Sequence, residues 1–380
     1  MNEQIKIGSI IKQIRGVSYK PTDVREADEE NAVALLRANN IQETGLNFDD
    51  LVYIDRSMVK SEQYLRAGDI LICSSSGSKN LVGKAAYIPE DLPCSFGAFC
   101  KVVRTQTVDS YYLGQYFQSP RYRQEISEAS AGANINNIRN EHIDKLTIPP
   151  HSKSEQMEIV QSLLCVNKQI DYTKQQLAKL DELVKSRFIE LFGDGHDGKT
   201  QLKMLGSICK FQQGTQIPVE EQFEEQISRY KRFLRIIDYT QAPQPPRYVN
   251  VNGKEVDEKS VVIVRYGATA GFVGRGYQGI LANNLFEIMP DETILSKDFL
   301  FLALKYGTFE EEVHTKAFGA AMPALSFSMM NDIPVVVPVM EQQQQFVSFV
   351  EQVDKSKLVV QQSLEKLETL KKSLMQQYFG

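Results

Sequence analysis

The second half of this chain is a divergent copy of the first, and that duplication limits what the sequence can build. Gly8-Ser9-Ile10-Ile11-Lys12 returns 198 residues on as Gly206-Ser207-Ile208-Cys209-Lys210. Gly16 and Leu36-Arg37 return at the same offset as Gly214 and Leu234-Arg235. Leu81-Val82-Gly83-Lys84 matches Phe272-Val273-Gly274-Arg275 at an offset of 191. At an offset of 187, the stretch 175–193 keeps nine of its 19 residues: Gln175, Leu177, Lys179, Leu180, Leu183, Lys185, Ser186, Phe192 and Gly193. A falling offset means loops of different length on a framework that repeats.

Each half has the same plan. A strand-rich globular stretch covers 1–150 and again 199–338, with strands expected at Asp69–Cys73, Phe99–Val103, Val261–Val264 and Leu285–Met289. Short helices are expected at Ser110–Phe117 and Lys297–Lys305. The globular stretches close on Leu146-Thr147-Ile148-Pro149-Pro150 and Ile333-Pro334-Val335-Val336-Val337-Pro338, where proline ends a strand and hands the chain to a helix.

Long helical segments follow at 151–193 and 339–380, with the helical runs at Ser154–Phe192 and about Glu341–Phe379, and neither run holds an internal Gly or Pro. Val166, Ile170, Leu177, Leu180, Val184 and Leu191 share one face of the first run; Val353, Val360, Leu364, Leu367, Leu374 and Tyr378 share one face of the second. A lone helix of about 57 Å with one apolar stripe needs a partner. Either the two runs pair with each other or each packs on its own globular half. Residues 194–198, Asp194-Gly195-His196-Asp197-Gly198, read as a linker after the helix stop at Gly193.

Composition narrows the class. With 380 residues and a 42% hydrophobic share the chain is long enough for two or three packed domains. No apolar run reaches a membrane span, and Met1-Asn2-Glu3-Gln4-Ile5-Lys6 has no apolar leader core. Five cysteines without a CxxC pair fit free thiols in a reducing cytoplasm. The net charge of −5 speaks mildly against nucleic acid but says nothing of how charge is spread over faces.

Two copies of one unit joined by paired antiparallel helices form a caliper with pseudo-two-fold symmetry. The expected fold is α+β: two duplicated strand-rich heads joined by a coiled-coil-like helix pair. Double-stranded DNA, whose strands also run oppositely, is the natural ligand for such a layout.

The strand-Pro-helix junctions, with Ser154-Glu155-Gln156-Met157-Glu158-Ile159-Val160 at the first and the helix end Leu191-Phe192-Gly193, resemble the specificity subunit of type I restriction-modification systems. The resemblance covers essentially the whole chain. It implies two target recognition domains, each reading one half of a bipartite asymmetric DNA site, and helices that set the spacer and dock methyltransferase subunits. It also implies a chain that is not catalytic itself. Its partners would be two methyltransferase subunits and two restriction subunits, which would use the S-adenosylmethionine, ATP and magnesium that this chain does not bind. The second junction, Met340-Glu341-Gln342-Gln343-Gln344-Gln345-Phe346-Val347, departs from the common pattern in being glutamine-rich, which leaves its register open.

Base readout needs side chains that fork onto base edges, and phosphate binding needs basic or amide groups. In the first half, Ser76 and Lys79 lie in the Gly/Ser loop after a strand, with Lys84 nearby; a solvated turn is the alternative. Asn134, Asn136, Asn137 and Arg139 form an amide-rich loop suited to adenine, or alternatively to turn chemistry. The copy, Gly319-Ala320-Ala321-Met322-Pro323-Ala324-Leu325, has lost the amides. In the second half the candidates are Arg265, Tyr266, Thr269, Arg275 and Tyr277, with packing in the sheet the alternative for each Tyr. Arg37 and Arg235 are either phosphate contacts or framework ion pairs. The helix-interface candidates are Ile170, Leu177, Leu180, Val184, Leu191, Val360, Leu364, Leu367, Leu374 and Tyr378.

Several motifs mislead. Gly274-Arg275-Gly276-Tyr277-Gln278-Gly279 has dinucleotide spacing, but β-type residues follow it instead of a helix. Gly77 to Lys84 has five residues between its glycines and Ala85 where a phosphate loop needs Ser or Thr. Pro245-Pro246-Arg247-Tyr248 lacks the acidic or Asn residue that an adenine methyltransferase motif carries. His142, His151, His196 and His314 have no metal-ligand spacing. Two other function classes remain: a self-contained modification enzyme with fused readers, and a coiled-coil scaffold with two protein-binding heads.

Overall fold

A computed structural model of the chain describes residues 4–42, 45–78, 80–130, 137–193, 201–227, 229–240, 244–317 and 324–380. The chain divides into two compact units, Met1–Lys174 with Gln362–Gly380, and Gln175–Gln361. The division falls inside two 40-residue helices, Lys153–Phe192 and Met340–Phe379. Each unit therefore holds one strand-rich half, the beginning of the long helix that follows it, and the end of the other long helix.

The first sheet of each strand-rich half repeats strand for strand. In the first unit Ile11–Arg15, Cys100–Thr105, Ile70–Cys73 and Ala85–Tyr87 form an antiparallel sheet in that order. In the second the order is Cys209–Gln213, Leu285–Pro290, Val261–Val264 and Val273–Gly274. The two central strands are buried, as continuous runs such as Ile70-Leu71-Ile72-Cys73 and Val261-Val262-Ile263-Val264 require. A second four-stranded sheet in each unit contains one parallel pair, Ser95–Phe96 on Ala32–Leu36 and Gly279–Leu281 on Lys231–Leu234.

The repeated glycines explain themselves here. A Cβ on Gly16 would sit 2.1 Å from the Gly97 carbonyl oxygen, and one on Gly214 would sit 2.1 Å from the Ala282 carbonyl oxygen. At both places the chain crosses from the first sheet towards the second, and only hydrogen fits.

The short helices are Ser110–Phe117 and Lys297–Tyr306. Each is followed by a second helix that the sequence did not announce, Pro120–Ser130 and Phe309–Ala317. The proline-ended strands Thr147–Ile148 and Pro334–Val336 pair with Ile5–Lys6 and Leu202–Met204, so each half is closed by its own two ends.

Within each unit the two helix portions run antiparallel. In the second unit Asp181 accepts from Lys357 at 2.5 Å while Phe188 and Phe192 pack on Phe346 at 5.5 and 5.4 Å. In the first unit Lys174 faces Glu368 at 3.8 Å, while Ile159, Leu163, Met375 and Phe379 share one core. The seam follows alternating three- and four-residue steps through Gln156, Ile159, Leu163, Val166, Ile170 and Thr173, all buried. Its counterpart through Gln343, Phe346, Val350 and Val353 is buried as well, and Lys357 continues it half-buried.

Among the interface candidates, Ile170, Val184 and Leu364 are buried, and Leu177, Leu180, Val360, Leu367, Leu374 and Tyr378 are half-buried. Leu191 is not on the seam: it is 40% exposed. The stripe passes through Val184, Phe188 and Phe192 instead, and Leu191 lies about 100° around the helix from Phe192. The linker residues 194–198 lie outside the described residues. No described helix is long and apolar enough to cross a membrane.

Candidate nucleic-acid interface

In each unit the topology brings three short segments to one end of the central strands. In the first unit, the residues after Ile70–Cys73 meet the turn Gly97–Cys100: the Ser74 and Ser75 amides donate to the Phe99 carbonyl at 2.8 and 3.0 Å, and Ser74 Oγ donates to it at 2.9 Å. The third segment is Asn137-Ile138. Ser75 and Asn137 form an antiparallel bridge, and the Ile138 amide donates to Ser74 at 2.7 Å. Ser75 of the Gly/Ser loop and Asn137 of the amide-rich stretch, read separately in the sequence, are thus neighbours.

The second unit repeats this geometry with other side chains. The Arg265 amide donates to the Asn284 carbonyl at 2.9 Å, Tyr266 bridges Ala324, and the Leu325 amide donates to Arg265 at 3.0 Å. Backbone pairing fixes the three segments, leaving the side chains to differ. Ser74, Ser75, Phe99 and Asn137 stand where Arg265, Tyr266, Asn284 and Ala324 stand in the copy.

The candidates separate accordingly. Ser76 is half-buried, and its hydroxyl accepts the Ser78 amide at 3.2 Å. Lys84 is half-buried at the same end of its strand, its carbonyl accepting from Cys73 at 2.9 Å. Asn137 and Arg139 are exposed, Arg139 facing Glu141 at 3.4 Å. Lys79, Asn134 and Asn136 lie outside the described residues. In the second unit Tyr266 is 37% exposed and Thr269 is exposed beside it. Arg265 reaches the Leu325 carbonyl at 3.2 Å, its guanidinium 4.8 Å from the Tyr266 ring centre.

Arg275 and Tyr277 do not join this group. Val262 pairs with Gly274, and Gly276 donates to the Glu258 carbonyl, so both residues sit at the opposite end of the Val261–Val264 strand from Arg265. Arg275 pairs with Asp298 at 3.1 Å and covers the Phe301 ring at 4.7 Å. Tyr277 packs edge-on to Tyr239 at 5.3 Å, beneath Arg232 at 4.4 Å. Packing and ion pairing occupy both. Arg37 and Arg235 are framework residues too, held by Asp50 at 2.7 Å and Asp238 at 3.0 Å.

At equivalent positions of the two sheets the units differ in kind. In the first, buried Lys101 donates to Asn140 Oδ1 at 2.8 Å and to Gln13 Oε1 at 3.2 Å, and Gln13 donates to Asp144 at 2.8 Å. Burial pushes the Lys101 ammonium down to about 8, with Asp144 opposing. In the second unit the equivalent positions are Phe211, Phe286 and Phe327, whose rings pack at 5.4 to 6.2 Å. These positions are polar in the first unit and aromatic in the second.

The sequence reading passed over two residues. Phe99 reads as the first residue of a strand, yet the strand starts at Cys100 and Phe99 sits in the turn with 69% of its surface exposed. Gln343 resolves the open register of the second junction. Its Oε1 accepts the Ser296 amide at 3.0 Å, and its Nε2 donates to Ile294 and Pro338 at 2.9 Å. Gln156 does the same work in the first unit, accepting from Asp109 at 3.1 Å and donating to His151 at 2.9 Å.

Nucleophile chemistry finds no foothold in the buried thiols: burial pushes Cys73 and Cys94 up to about 11. Among the described residues no three His, Cys, Asp or Glu side chains gather as a metal site.

Comparison with known proteins agrees with the duplicated framework. A family model described as the type I restriction modification DNA specificity domain matches residues 2–182 and again 199–369. The StySPI specificity subunit of Salmonella potsdam is 37% identical over 180 residues, 47% of this chain and 39% of that protein. The EcoKI specificity subunit of Escherichia coli K12 is 36% identical over 194 residues, 51% of this chain and 42% of that protein. The chain thus spans about two-fifths of the length of these curated relatives. Among solved structures, the S subunit of a type I system from M. genitalium superposes with a TM-score of 0.56 at 15% identity, over 100% of this chain and 96% of that one. A chain from a study of type I complex assembly and conformational transition reaches 0.62 at 15% identity, over 99% and 97%. With two matched copies that take in most of its length, the chain belongs to the type I restriction-modification specificity family.

Proposed function

We propose that the chain is the DNA-recognition subunit of a type I restriction-modification complex, in which each unit reads one half of a bipartite, asymmetric site. The observation that carries this reading is the pair of three-segment interfaces: alike in backbone pairing, different in the side chains presented. Two readers of one ancestry with different exposed groups recognise two different short sequences.

The long helices then set the number of base pairs between the half-sites and offer docking surface to two methyltransferase subunits, with two restriction subunits joining the assembly. Chemistry belongs to those partners, which bring S-adenosylmethionine, ATP and magnesium; this chain supplies address and spacing, in the cytoplasm. The chain purified with its methyltransferase partner and offered random-sequence duplexes should enrich one site with two unlike halves. Methyl transfer by the chain alone would favour a self-contained enzyme. Stable partners found only among proteins, with no sequence preference on DNA, would favour a scaffold.

A further inference from the structure

The turn Gly97–Cys100 of the first unit and the turn Ala282–Leu285 of the second occupy the same place. In each, the fourth residue donates to the first, at 2.8 Å for Cys100 to Gly97 and 3.0 Å for Leu285 to Ala282. In each, the first residue bridges the crossing chain in parallel, Val17 with Gly97 and Thr215 with Ala282. The third residue is Phe99 in one turn and Asn284 in the other, and its carbonyl is the acceptor that anchors the neighbouring loop.

Their side chains are placed very differently. Phe99 projects a bare ring, 69% exposed, from a turn whose carbonyl accepts the Ser74 and Ser75 amides, with Ser75 bridged to Asn137. A ring that contributes nothing to its own core is costly to display in water. Asn284 lines a cleft with Phe233, Arg235, Ile236, Ala282 and Asn283, and its buried Oδ1 has no hydrogen-bond partner among the described residues. An unmet buried acceptor is also costly. Both positions therefore present a group that the folded chain alone does not satisfy.

Building on the DNA-reading role proposed above, we infer that this turn position is a specificity determinant, and that Phe99 makes an apolar contact with a base of the first unit's half-site. The flanking Ser and Asn side chains address hydrogen-bonding edges. Phe99 can address only what has no such edge, a thymine methyl group or an opened base step.

The test uses the full chain assembled with its methyltransferase partner. Wild type, Phe99→Ala and Phe99→Trp are each used to select sites from random duplexes, and binding is then measured on the wild-type site. Phe99 carries no core packing and its backbone hydrogen bonds survive truncation, so folding is retained. Phe99→Ala should lose about tenfold or more in affinity and relax one position of the first half-site only. Phe99→Trp should restore most of it. Replacing thymine by uracil in that half-site assigns the source: a loss in wild type that is absent in Phe99→Ala means the methyl group, and no loss in either means the base step. A Phe99→Ala complex that selects the same site with affinity within twofold of wild type overturns the inference. A wild-type complex that selects no site overturns the DNA-reading role itself and the inference with it.

Discussion

Phe379 packs its ring 5.2 Å from that of Tyr112, and its carbonyl accepts from Arg121 at 2.5 Å. The end of the second long helix thus completes the core of the first strand-rich half. Phe192 at the end of the first long helix does the same for the second half, 5.2 Å from Phe299. Each head is stabilised by the helix it does not lead into: the first half by a segment distant in sequence, the second by the segment that directly precedes it.

Phe379→Ala should therefore damage the first unit, although the residue lies in the helix that leaves the second half. A fully buried Phe reduced to Ala costs about 3–5 kcal/mol. Hydrogen exchange should show lost protection in Ser110–Phe117 with Val261–Val264 little changed. Loss confined to the second unit would contradict the arrangement.

Gln343→Ala should cost about 2 kcal/mol or more, because it strips partners from the Ser296 amide and the Ile294 and Pro338 carbonyls in a buried place. Gln156→Ala should cost somewhat less, since Gln156 makes two such bonds. Denaturant midpoints of the two variants check the order.

The pH dependence of stability should carry a Lys101 signature. Its ammonium is pushed down from 10.5 to about 8 by burial, so between those values the unfolded chain holds a proton that the folded chain has released. Stability from this group is lowest below about pH 8 and rises as the pH climbs towards 10.5. Lys101→Met abolishes that rise. The buried thiols, raised by desolvation, act in the opposite direction but cancel in the difference between wild type and variant. Parallel pH profiles for the two proteins would contradict the assignment.

Inserting seven residues after Lys174 and seven after Gln361 keeps the three-four seam in step and lengthens each helix by about 10.5 Å. If the helices set the spacing, the selected site should keep both halves and gain about three base pairs between them. Site selection reads this directly, and an unchanged spacer would count against it.

Much of this architecture is written in the sequence because duplication shows which residues are framework. The strand Val261–Val264 and the helix Ser110–Phe117 span the residues expected of them. Ala32–Leu36 escaped notice because a short apolar run suits strand and helix equally. The polar helix Pro120–Ser130 carries few apolar residues to mark its period. Leu191 misled because it lies seven residues on from Val184, whereas the buried stripe advances four residues at a time through Phe188 to Phe192.

The interface was harder to read than the fold. Ser75 and Asn137 are distant in sequence, and only sheet order makes them neighbours. Arg275 and Tyr277 resemble binding residues in composition, but a hairpin carries them to the wrong end of their strand and Asp298 and Tyr239 claim them. Phe99 is hidden in an apolar run whose first residue turns outward.

The central claim is that two related readers address two different half-sites, and an exchange of heads tests it most directly. Residues 1–150 are replaced by the equivalent stretch of a family member with a different target, and the site selected by the assembled complex is sequenced. One half-site should change to the donor's while the other half stays as it was. A change in both halves, or in neither, would contradict the account.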